Sequence, residues 1–207
     1  MAQDETALAS STAIVWRRIS DDLSIECAHI GAIGDGHAIT GRIVAVEAET
    51  PLELDYRIET GPGWSTRSVR LEQVFEGLDK HLDLLCHEGN WRVNGVLAPH
   101  LAGCSDVDLG LSPSTNMLPI KRLVLSVGEA AEIRAAWVRF PAMDVVAARQ
   151  RYERLDLSLW RYTNIDSGFS AQVEVDSDGL VLVYEGLWTR GAVWRPAEHA
   201  PGDGSRP

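Results

Sequence analysis

The chain has 207 residues, with 19 Lys and Arg against 30 Asp and Glu, and a formal net charge of −11. Nucleic acids and anionic membrane surfaces need clustered cations, and here the few basic residues are scattered, so both drop out as partners. Hydrophobic residues make up 45% and charged residues 24%, which sets disordered and fibrous classes aside; the length permits one large domain or two small ones, and all-β domains of about 200–250 residues are common.

Residues 1–12 are acidic and polar and read as a flexible leader. They lack a basic stretch followed by an apolar one, so they are no signal peptide. Strands are expected over 14–18, 22–32 and 37–48. Between the last two, Gly31-Ala32-Ile33-Gly34-Asp35-Gly36 lacks the order of a phosphate cradle and reads as a turn. In Pro51–Thr60, Leu52, Leu54, Tyr56 and Ile58 alternate with Glu53, Asp55, Arg57 and Glu59, the pattern of a strand with one wet face. Further strands fall at 64–75, Lys80–His87 and 90–97.

Ser112-Pro113-Ser114-Thr115-Asn116 looks like a helix start, with a hydroxyl cap and Pro in the first turn. The helix would begin at about Ser114 or Leu118 and run to Leu125, although Pro119 is tolerated only near a helix start. Next come a strand at 131–140, a short helical turn at 142–151 and a strand at 151–162. Ala171–Asp176 and Gly179–Trp188 then form a hairpin across Ser177-Asp178-Gly179. From about Ala197 the Gly- and Pro-rich tail reads as disordered, which leaves residues 13–196 as a single domain. Tight turns and few helical crossovers point to an antiparallel sheet closed or rolled on itself. No run of 18 apolar residues occurs, so no transmembrane segment is expected. The odd set Cys27, Cys86 and Cys104, without metal-ligand spacing, reads as reduced thiols in the cytoplasm.

Few residues suggest chemistry. G-x-S-x-G is absent. Cys104 with His100 could make a nucleophile and base, but a free Cys is more often a small core residue. His81, Asp83 and His87 share a strand face, yet the two His lie about 20 Å apart at about 3.3 Å per residue, too far to share an ion. Asp106 and Asp108, two residues apart, could share a proton as acid and base or pair with Arg. The seven Trp suit an aromatic-lined ligand site or ordinary packing. Arg67, Arg122, Arg139 and Arg161 flank these aromatics and could hold an anionic headgroup or pair within the sheet.

Several blocks, taken together and in order, resemble a bacterial family named for glycolipid binding. Trp64-Ser-Thr-Arg67 and Trp91-Arg-Val-Asn-Gly95 fit its first half. Leu101-Ala-Gly-Cys104-Ser-Asp106-Val-Asp108-Leu and Ser114-Thr-Asn116-Met-Leu-Pro119-Ile-Lys-Arg122-Leu fit its centre. Ala136-Trp137-Val138-Arg139-Phe140-Pro141, Gln150-Arg-Tyr152, Tyr162, Phe169-Ser-Ala171 and Tyr184-Glu-Gly186-Leu187-Trp188 fit the remainder. The resemblance covers roughly 14–195, with Met117, Lys121 and Glu185 standing where Thr, Arg and Pro would be expected. It implies a mainly β fold, a spiral antiparallel β-roll wrapped around a single α-helix at 116–123. It also implies a homodimer and a likeness to lipoprotein carriers with an apolar cavity.

On this reading the protein is a non-enzymatic binder of an apolar or glycolipid small molecule, without a cofactor or a metal. The residues expected to contact the ligand are Trp64, Arg67, Trp91, Asp106, Asp108, Asn116, Arg122, Trp137, Arg139, Tyr184 and Trp188. The alternative is a hydrolase or isomerase acting on a lipid-like or sugar substrate through the Cys104–Asp108 segment.

Overall fold

The computed structural model describes residues 8, 11–20 and 23–196. Most of the expected leader and all of the expected tail therefore lie outside the described residues. The N-terminal half is a meander of β1 (Thr12–Arg18), β2 (Ile25–Ile33), β3 (Gly36–Glu47), β4 (Thr50–Thr60), β5 (Thr66–Phe75), β6 (Leu78–His87), β7 (Asn90–Val93) and β8 (Val96–Leu97). Then come β9 (Asp106–Leu109), a 3-10 turn at Ser114–Asn116 and α1 (Met117–Arg122). The second meander is β10 (Ala130–Arg139), β11 (Asp144–Arg154), β12 (Leu159–Asn164), β13 (Ser170–Val175), β14 (Val181–Tyr184) and β15 (Trp188–Trp194).

All fifteen strands among the described residues join one sheet in the order β8-β7-β6-β5-β4-β3-β2-β1-β15-β14-β13-β12-β11-β10-β9. Every neighbouring pair is antiparallel except β9 and β10, which run parallel. The two meanders are joined at the centre by pairing of the first and last strands, Ala13 opposite Trp194 and Arg18 opposite Trp188.

Period-two patterning sets which face is buried. On β4, Leu52, Leu54, Tyr56 and Ile58 point inward while Glu53 is exposed. Tight turns set the register: Asn94 and Gly95 both have positive φ, 48° and 79°, as a two-residue hairpin matched to strand twist requires. This turn divides the expected 90–97 strand into β7 and β8.

The sheet curls until its β9 edge reaches the opposite half. Thr66 N donates to Ser105 O at 3.1 Å, and Val107 N donates to the Thr66 hydroxyl at 3.0 Å. Gln73 Nε2 donates to Pro141 O at 2.9 Å, and Trp91 Nε1 to Cys104 O at 2.9 Å. The result is a β-roll around one short helix, in which Met117, Leu118, Pro119 and Ile120 are buried. Pro119 lies in the first turn of α1, where backbone donors have no intrahelical partner to lose. The N-terminal half of the roll has a core of Trp16, Ile39, Ile43, Leu54, Ile58, Leu71 and Leu84, all fully buried.

Several local expectations need correction. Residues 142–151 are not helical: β11 spans Asp144–Arg154 and pairs with β10 from Asp144 to Glu153. Residues 151–162 are not one strand, because Leu155–Ser158 turn between β11 and β12. Residues 179–188 are likewise broken between β14 and β15, and Asp106–Leu109 form a strand that the sequence reading left unassigned. The helix stops at Arg122 rather than Leu125. Among the described residues no helix is long and apolar enough to cross a membrane.

Candidate functional site

Where α1 meets the C-terminal half, the roll is not filled. A cavity of about 280 Å³ remains between the end of β9, the segment leading into α1, and strands β10, β12, β14 and β15. Period two aims Tyr162, Tyr184 and Trp188 inward from their strands, and each is buried. The Tyr162 ring meets Tyr152 edge-on at 5.4 Å and 64°, Tyr184 at 6.0 Å and 75°, and Phe169 at 6.2 Å and 55°. Such tilted contacts suit the ring quadrupoles and hold the wall rigid. Phe169, 42% exposed, stands at the rim.

Gly110 lets the opposite wall come close. A Cβ there would lie 2.9 Å from Trp137 Nε1 and 3.2 Å from Val138 O, so a side chain would displace the Trp137 indole that lines the cavity. At the 167–169 turn, Asn164 Oδ1 accepts from Asp166 N at 3.1 Å and Ser167 N at 3.0 Å, which shapes the mouth.

The polar groups are few and held in place. The Tyr152 hydroxyl donates to Asn116 Oδ1 at 3.2 Å. Gln150 Nε2 donates to Asp108 Oδ2 at 2.6 Å. Burial pushes the Asp108 carboxyl up to about 6, against the lowering effect of hydrogen bonds from Gln150 and Thr115. Burial also drives the Tyr162 and Tyr184 phenols well above their ordinary range, so both stay neutral donors.

The two neighbouring carboxylates have different surroundings. Asp106 receives Arg122 Nε at 3.0 Å and Nη2 at 2.6 Å, with the Ser105 hydroxyl at 2.6 Å. Asp108 has no ion pair among the described residues. The pair is therefore one ion-paired structural group and one carboxyl, hydrogen-bonded by Gln150 but without an ion pair among the described residues, that lines the cavity.

Behind the cavity lies a network that the sequence reading missed. The Ser112 hydroxyl sits 2.8 and 2.9 Å from the two oxygens of Glu26, which is fully buried on β2. The Tyr56 hydroxyl donates to the same carboxyl, and lies 3.0 Å from Ser114 Oγ. Burial pushes Glu26 up to about 7, with Tyr56, Ser112 and Ser114 pulling the other way. The signal is in the strand phase: Glu26 shares its face of β2 with Ala28 and Ile30, which are buried.

Of the residues expected to contact a ligand, Asp108, Asn116, Trp137, Tyr184 and Trp188 line the cavity. Asp106 and Arg122 pair with each other nearby. Trp64 stacks on His37 at 3.7 Å and 12°, with the Lys121 ammonium 4.6 Å from its ring centre. Trp91 is fully buried in the core. The arginines are engaged with carboxylates: Arg67 with Asp35, Arg139 with Asp144, Arg161 with Glu153. The Arg139 guanidinium also sits 5.8 Å from the Trp137 ring centre. Tyr162, Asn164, Phe169 and Leu187 line the cavity without having been singled out. The sequence marks Tyr162 and Phe169 only as parts of a resembling block.

The segment proposed for catalysis is poorly arranged for it. Burial pushes the Cys104 thiol up to about 11, the opposite of what a nucleophile needs. His100 Nε2 lies 3.2 Å from Val145 O. His81, Asp83 and His87 are exposed along the straight β6, and no trio of ligating side chains gathers to hold a metal among the described residues.

The model of a family described as "Putative glycolipid-binding" matches residues 13–190. A crystal structure of a DUF1089 family protein from Pseudomonas aeruginosa superposes with a TM-score of 0.75 at 32% identity, covering 92% of this chain and 98% of that one. A beta-barrel-like protein of domain of unknown function DUF1849 from Brucella abortus superposes with a TM-score of 0.53 at 9% identity, covering 93% of this chain and 100% of that one. The second likeness speaks to the fold alone. No curated protein matches the chain.

Proposed function

Because this chain belongs to the glycolipid-binding family, we propose that it binds a glycolipid or similar amphiphile without chemical turnover, with the headgroup in the cavity beside α1. The observation that carries this reading is the aromatic wall of Tyr162, Tyr184, Trp188 and Phe169 facing a few fixed polar groups. Aromatic faces pack on the C–H faces of a sugar ring, and Asn116, Asn164 and Asp108 can meet its hydroxyls. At about 280 Å³ the space falls just under the roughly 300–1,000 Å³ of pockets that enclose whole drug-sized ligands. It suits a headgroup, with the acyl chain running out past Phe169 and Leu187.

The experiment is a fluorescence titration with n-octyl β-D-glucoside below its micelle concentration, since Trp137 and Trp188 line the cavity. Saturable quenching or enhancement is expected. Ser167→Trp, an exposed substitution at the mouth, should weaken binding at least about tenfold by steric blockage while leaving the melting temperature unchanged. A flat titration, backed by native mass spectrometry showing only bare protein from its own cells, counts against the reading. Free Cys27, Cys86 and Cys104 support a reducing, cytoplasmic setting. Leu85 and Leu97 share a face through Arg92 and are each 53% exposed, which supports a homodimer that light scattering would test.

A further inference from the structure

The cavity's charge is as informative as its shape. Among the described residues its lining includes one carboxylic acid, Asp108, and no Lys, Arg or His. Two residues away, Asp106 is neutralised by bidentate contact with Arg122, so the fold supplies a cation to one carboxylate and withholds it from the other. A carboxylate removed from water without a counter-charge is costly. Gln150 and Thr115 meet Asp108 with hydrogen bonds but bring no positive charge. The same cavity is lined by Tyr162, Tyr184 and Trp188, side chains whose ring faces attract cations through their quadrupoles.

We infer that the cavity selects an amine-bearing headgroup, an ammonium group that pairs with Asp108 against the aromatic wall, over neutral and anionic headgroups. This inference rests on the binding reading above and specifies the ligand's charge. It also sets aside an anionic headgroup held by arginine, since Arg67, Arg122, Arg139 and Arg161 are all engaged with carboxylates.

Three probes that differ only at sugar C6 test it: octyl 6-amino-6-deoxyglucoside, octyl glucoside and octyl glucuronide. Titrations are run at pH 7.5 on the unaltered full chain, where Asp108 is ionised. The amino sugar should bind about tenfold tighter than the neutral one, as a charge-assisted contact in a partly dry site requires, and the glucuronide weakest. Asp108→Asn, which keeps the shape and the Gln150 contact, should erase the preference, bringing the affinities for the amino and neutral sugars to within about twofold of each other. A circular dichroism melt checks that the variant folds, but the probe series on the unaltered protein reads out without it. Equal affinity for all three probes overturns the charge inference and leaves the binding reading standing. Binding of none overturns both. Tightest binding of the glucuronide overturns the inference outright.

Discussion

Glu26 places an ionisable group inside the roll at no measurable exposure, held by Tyr56 and Ser112. Its folded value of about 7 lies above the ordinary 4.5. Between those two values the folded chain holds a proton that the unfolded chain has released, so stability falls as pH rises through that window and levels off above it. Glu26→Gln should therefore melt at or above the parent temperature at pH 8. The advantage should shrink to nothing or reverse at pH 5, read as paired thermal melts. A variant equally destabilised at both pH values would show that the carboxyl's geometry, not its charge, is what the site needs. At this scale the sequence was partly legible. The alternation that buries Ala28 and Ile30 buries Glu26 as well, but a Glu in a strand reads first as part of a wet face. Asp108 was legible as a candidate. Its difference from Asp106 was not, because it depends on where Arg122 reaches from α1, sixteen residues along the chain from Asp106.

At the scale of elements, close approach governs β3 and β4. A Cβ on Gly41 would lie 2.5 Å from both Cζ and the hydroxyl oxygen of Tyr56. Tyr56 cannot retreat without leaving Glu26 and Ser114. Gly41→Ala should cost about 1–3 kcal/mol in chemical denaturation, an overpacking penalty. Gly63→Ala, where a Cβ meets nothing within 4 Å, serves as the control. Strands with one wet face, such as β4, were readable because the period-two signal needs no knowledge of partners. Residues 142–151 misled because Ala147 and Ala148 favour helix, and pairing with both β10 and β12 overrides that preference. Asp106 and Asp108 hid β9, since Asp is depleted in strands; there one side chain is ion-paired and the other faces a cavity.

For the molecule as a whole, the roll holds its curvature at a few contacts between distant parts of one sheet. Thr66 is central, accepting from Val107 N through its hydroxyl and donating its own N–H to Ser105 O. Thr66→Val keeps the shape but leaves the buried Val107 amide without an acceptor. That should cost about 1–3 kcal/mol and speed hydrogen exchange at Val107, while Thr163→Val, whose hydroxyl meets Ser170 at the surface, should do little. The mainly β class was evident from the pattern alone, and the roll around a helix came from the resembling blocks. The single sheet's strand order was visible to neither, because pairing β1 with β15 joins residues 170 or more positions apart, such as Arg18 and Trp188, with Ala13 and Trp194 at the other end.

That central pairing has a consequence for how the chain must assemble. During synthesis β1 emerges with only β2 of its two neighbours close behind it, and its other flank waits until β15, 170 or more residues later, has left the ribosome. Each meander can zip up from local hairpins, yet the joint that makes them one body closes last and over the longest loop in the molecule, so folding should be slow for its size. Until then β1 presents an open, hydrogen-bond-hungry border, the moment at which a nascent chain is most exposed to pairing with the wrong neighbour.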